Sequence, residues 1–99
     1  MKKTVLLLLA ASLTLSAFDV EGVYKKCAMC HGKKGEKVAL NTSPQLNTLD
    51  QTQLETAIGK MLDGSSTISS RYLGMHKAKL KGVSEDDVAS LANYILSLK

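Results

Sequence analysis

Cys27-Ala28-Met29-Cys30-His31 is the stretch of this 99-residue chain whose residue types and spacing can do chemistry. On a helix the cysteines stand three residues apart and His31 four beyond Cys27, so two thiols and an imidazole project to one side. That side can hold one flat ligand. Two thiols can add across the vinyl groups of a haem, while the adjacent imidazole reaches the iron from one face. The motif therefore predicts one haem c, carried permanently through Cys27 and Cys30.

Other chemistries use the same residues. A thioredoxin-like disulfide motif sits beside alternating strands and helices, and no convincing strand pattern is visible. A closed zinc site takes four ligands. Cys27, Cys30, His31 and His76 are the only cysteines and histidines, and the adjacent Cys30 and His31 fit poorly as two corners of one tetrahedron. Covalent haem is the reading that the motif and its setting favour.

Residues 1–17 read as a secretory signal. Lys2 and Lys3 form a positive start, Val5 to Ala11 with Leu13 and Leu15 form an apolar core, and the small Ser16 and Ala17 end it. The run from Thr4 to Ala17 is shorter than the ~20 apolar residues of a membrane span, and Asp19 and Glu21 close it off. Cleavage after Ala17 predicts a periplasmic protein with no membrane anchor. Removing 17 of 99 residues leaves 82, enough for one small domain over 18–99. The formal net charge of +4 falls to +2 as Lys2 and Lys3 leave, too little to suggest nucleic-acid binding by charge. A remainder with no Trp, three Tyr and one Phe builds a thin core, and such small scaffolds usually need a staple. A large apolar cofactor in the middle supplies one.

Helices must position the motif. Asp19 is a plausible N-cap for a helix reaching Cys30, on which Val20, Val23, Tyr24 and Cys27 repeat at the spacing of a buried face. Gly32 to Lys37 is polar and glycine-rich and reads as loop, its lysines either a docking surface or simply solvated. Pro44, the only proline, favours a turn or extended chain at Ser43. A haem histidine normally donates its other ring nitrogen to a carboxylate or backbone carbonyl, and a rigid loop here can offer one. A second helix spans Asp50 to Asp63, with Leu54, Ala57, Ile58, Met61 and Leu62 as its apolar stripe and Gly64 ending it. From Gly64 to Gly82 the pattern dissolves, leaving room only for a short helical turn. The last helix is the clearest: Ser84 caps it, Glu85, Asp86 and Asp87 fill its first turn, and Val88, Leu91, Ala92, Ile95 and Leu98 form its buried face.

Three side chains compete for the far side of the iron: Met61, Met75 and His76. Met29 is tethered between the cysteines and cannot cross the ring. Met61 falls on the stripe of its helix, where a core residue belongs. Met75 has no such explanation, since it lies in aperiodic chain, and it is the favoured ligand. Thioether ligation raises the potential and a second imidazole lowers it. An exposed loop position is the ordinary state of His76.

With these pieces in order, the chain resembles a small bacterial monohaem class I cytochrome c: a helix running into CAMCHG, then SPQL, a helix ending in DG, and a methionine ahead of LKGVSEDDVASLANYILSL. The resemblance implies an all-α fold of three or more helices around one covalent haem, with the first and last helices crossing where Tyr24 or Val23 meets Leu91 and Tyr94. It implies Cys27 and Cys30 as thioether donors, His31 as proximal ligand, Met75 as distal ligand, and the Pro44 carbonyl as acceptor from His31. It further implies a soluble, monomeric, non-enzymatic electron carrier. Lys33, Lys34, Lys37, Lys77, Lys79 and Lys81 are its candidate docking charges for transient redox partners. The alternative is a haem subunit held tightly to a periplasmic oxidoreductase, such as a sulfur-compound dehydrogenase. A third reading, an open sixth site, requires that Met75 not bind.

Overall fold

A computed structural model describes residues 18–41 and 43–99; the expected leader, residues 1–17, lies outside the described residues. Four α-helices follow one another: α1 (Val20–His31), α2 (Gln51–Asp63), α3 (Ser70–Lys79) and α4 (Val88–Ser97). Short 3-10 turns at Ala39–Asn41, Leu46–Thr48 and Glu85–Asp87 join them, and no strand occurs among the described residues. The fold is all-helical, as expected.

Local chemistry sets the helix boundaries. The Asp19 carboxylate accepts from the Gly22 amide at 3.0 Å and caps α1. At the start of α2 the capping is reciprocal: the Gln53 amide donates to Asp50 at 2.8 Å, and the Asp50 amide donates to the Gln53 side chain at 3.0 Å. Gly64, in the left-handed region, ends that helix. Ser84 and Asp87 close a similar box, so Glu85–Asp87 forms a tight turn that feeds directly into α4.

The core is a seam between α1, α2 and α4. Tyr24 contributes from α1, Leu54 and Ile58 from α2, and Val88, Leu91, Ala92 and Ile95 from α4, with Leu80 and Val83 closing one end. Val20, Val23, Cys27, Met61, Leu62 and Leu98 pack half-buried around it. α4 packs against both α1 and α2. The first and last helices meet where the rings of Tyr24 and Tyr94 lie 6.0 Å apart at 56°, a tilted aromatic pair.

Two expectations need correction. Ala57 is exposed, because burying Leu54, Ile58, Met61 and Leu62 leaves it at the edge of the stripe. The stretch after Gly64 holds a ten-residue helix, α3, where only a short turn was expected. Its half-buried residues are Tyr72, Leu73 and His76, spaced as one helical face. One of the three is a histidine, so a count of apolar residues alone misses the period. No residue of α3 is fully buried.

Candidate functional site

The last turn of α1 presents all three groups of the motif. Cys27 is half-buried and Cys30 exposed, both as free thiols. The Cys27 sulfur lies 3.6 Å from the Val23 carbonyl, and burial pushes its pKa up against the opposing pull of Lys26 and Lys79. His31 is only 8% exposed. Burial, and then the nearby His76, push its pKa down, which favours the neutral imidazole, the form whose lone pair can bind a metal. Its Nδ1 is buried and has no hydrogen-bond partner among the described residues. A buried polar atom without a partner is uncommon.

The chain beyond the motif is tied back to it. Gly32 ends α1 with φ +89°, a backbone region that side chains disfavour, and a Cβ there would run into the Glu36 carboxylate. The Gly32 carbonyl accepts from the Tyr24 hydroxyl at 2.7 Å, and the Lys37 amide donates to the His31 carbonyl at 2.9 Å. Glu36 accepts from the Lys34 amide at 2.9 Å with its carboxylate, and from the Gln45 side chain at 2.7 Å with its carbonyl. The Asn47 amide donates to the Gly35 carbonyl at 3.0 Å. Residues 32–37 are loop, as expected, but a loop pinned at both ends. Two exposed apolar side chains, Val38 and Leu40, follow it.

The other candidates divide. Met61 is half-buried against the core, so packing accounts for it. Met75 lies on α3, and not in aperiodic chain as expected, with 41% of its surface exposed; core packing does not account for it. His76, expected as an ordinary exposed loop residue, is half-buried on α3 with its ring 6.2 Å from that of His31. Pro44 is exposed, and its carbonyl accepts from the Ser43 hydroxyl at 3.0 Å; the hydrogen bond from His31 to that carbonyl is not formed in this structure. Cys27, Cys30, His31 and His76 do not converge as a set of three or more metal ligands among the described residues.

Lys33, Lys34, Lys37, Lys77, Lys79 and Lys81 are all exposed. Lys79 is near enough to Cys27 for its charge to act on the thiol, and so is Lys26, which pattern reading did not single out. Lys26 and Lys81 also line an open groove of about 750 Å³ beside Phe18 and Val23. No helix among the described residues is long and apolar enough to cross a membrane.

The donor set fits a covalent haem. It comprises two free thiols one helical turn apart, a buried imidazole next to the second, and exposed apolar side chains after the motif. Comparison with known proteins agrees. Residues 19–99 match the profile of the cytochrome c family. Two proteins named cytochrome c-553, from Helicobacter pylori strains 26695 and J99, are each 35% identical over 101 aligned residues that span the whole of both chains. No solved structure matches the chain.

Proposed function

The chain belongs to the cytochrome c family and carries electrons on a covalently attached haem c; from that premise we propose the roles of its residues and the place where it works. Cys27 and Cys30 are the thioether donors, His31 is the proximal iron ligand and Met75 the distal one. Residues 1–17 direct export and are removed, and residues 18–99 act as a soluble periplasmic carrier.

The observation that carries this reading is the end of α1, where one turn offers both thiols and an imidazole that is 8% exposed with an unpartnered Nδ1. When bound, haem supplies a one-electron couple between ferric and ferrous iron. The protein does the rest. α1 holds the two thiols on one side, and burial favours the neutral form of His31. The tie between Tyr24 and Gly32 fixes the chain that leaves the motif. Met75, on α3 and half free of the core, brings a thioether that favours the reduced state. With His31 and Met75 both holding the iron, the site would transfer electrons and perform no bond chemistry. Lys33, Lys34, Lys37, Lys77, Lys79 and Lys81 favour brief docking with acidic redox partners.

A spectroscopically monitored redox titration of the exported, haem-loaded protein tests the reading. The expected result is a positive midpoint with the weak far-red sulfur-to-iron band in the oxidised state. A low midpoint without that band would remove Met75 from the iron.

A further inference from the structure

The rings of His31, in the last turn of α1, and His76, on α3, have centroids 6.2 Å apart. Two imidazoles that share one metal between them, with metal–nitrogen bonds of about 2.0 Å and ring nitrogens roughly 1.1 Å from the ring centres, have centroids about 6.2 Å apart. Rotation about the shared axis leaves the interplanar angle free, so the observed 51° is compatible with such a pair.

The second ring is also prepared for ligation. Nδ1 of His76 lies 2.7 Å from the Tyr72 carbonyl. A carbonyl can only accept, so Nδ1 carries the proton and Nε2 keeps its lone pair. Metal-binding histidines are oriented in this way by an outer carbonyl. Met75 precedes His76 on the same helix, about 100° away around the axis. No fully buried residue anchors α3, so the helix can turn by about that angle to exchange one donor for the other.

We infer that His76 is a second distal donor, held opposite His31 to take the axial position whenever Met75 leaves it. The inference rests on the haem site and the Met75 assignment given above. Sulfur ligation favours ferrous iron and a second imidazole favours ferric iron, so one site holds two potentials.

The test compares the exported, haem-loaded full chain with its Met75→Ala, His76→Ala and doubly substituted forms. Spin state and carbon monoxide binding to the ferrous form are the readouts. Met75→Ala is expected to stay low-spin and six-coordinate, with a lower midpoint and slow carbon monoxide binding. Adding His76→Ala is expected to give high-spin, five-coordinate iron that binds carbon monoxide rapidly. A Met75→Ala protein already high-spin, and as open to carbon monoxide as the double variant, would overturn the inference. Met75→Leu, which preserves side-chain bulk, repeats the comparison if the alanine form fails to mature. The wild-type far-red band tests the Met75 assignment by itself, whereas the single and double variants test His76.

Discussion

Replacing Tyr24 by phenylalanine asks how firmly the haem-bearing end of α1 is held from inside the fold. The ring is 4% exposed, and its hydroxyl donates at 2.7 Å to the carbonyl of Gly32, the residue after His31. Burial raises the pKa of that hydroxyl, so it remains a donor at neutral pH. Phenylalanine keeps the ring and its packing on Tyr94, and only the donor is lost. Gly32 is itself buried, and its carbonyl then keeps only the longer bond from the Gly35 amide, at 3.3 Å. An ordinary hydrogen bond contributes about 1 kcal/mol net, and the acceptor keeps one partner, so a loss of about 1 kcal/mol is expected. With a guanidinium dependence of about 2–4 kcal/mol per molar for a domain of this size, the unfolding midpoint falls by roughly 0.25–0.5 M. The assay is guanidinium unfolding of the haem-loaded protein, followed by far-ultraviolet circular dichroism. The slope should be unchanged, since the core surface is the same. A midpoint within about 0.1 M of wild type would refute the argument, by showing that the Gly35 amide or water makes good the whole loss.

Three further outcomes follow from the same structure. Leu91 is 1% exposed at the centre of the α4 seam, so Leu91→Ala should cost about 2–5 kcal/mol in denaturant unfolding; a loss below about 1 kcal/mol would mean that the core collapses into the space. The hydrogen bond from the Lys34 amide, and then the charges of Lys37 and Lys34, hold the Glu36 carboxyl below its usual range. A depressed pKa in the folded state stabilises fully above the ordinary glutamate value, and that stabilisation is lost as pH falls through the lowered value. Glu36→Gln should therefore flatten part of the acid limb of the stability profile, and identical acid limbs for variant and wild type would count against it. Reversing Lys33, Lys34 and Lys37 to glutamate should slow reduction by an acidic redox partner most strongly at low ionic strength; rates that stay at wild-type level in low salt would remove these lysines from the docking surface.

Where structure follows from a few neighbouring residues, the sequence carried it. Asp19, the Asp50–Gln53 pair and Ser84 mark helix starts because their side chains satisfy amides within three residues. Val88, Leu91, Ala92 and Ile95 are readable as a buried face because one uninterrupted helix presents them together. The stripe of α2 was legible except for Ala57, whose position at its edge depends on where α4 lies. The donor set at the end of α1 could be read for the same reason as the caps, since Cys27, Cys30 and His31 lie within five consecutive positions of that helix. The hydrogen bond from Tyr24 to Gly32 was not, because it depends on the turn that the chain makes after His31.

The distal half of the site obeys a different logic. α3 has a weak apolar face with Gly74 in its middle, and a helix whose own pattern does not bury it is defined by what it packs against. Its inward residues, Tyr72, Leu73 and His76, form a helical face only when a histidine is counted as inward. That count has a physical reason only once His31 is known to stand opposite. The residues that hide α3 from pattern reading therefore bear on its function: side chains that do not belong to the core are free to turn toward a ligand. Met75, left 41% exposed, and His76, tethered to the Tyr72 carbonyl, are two such side chains in adjacent positions. A fully amphipathic α3 would be anchored by its apolar stripe and would present one donor. A helix without a buried anchor can present either, so weak packing and the proposed pair of distal ligands would have the same cause.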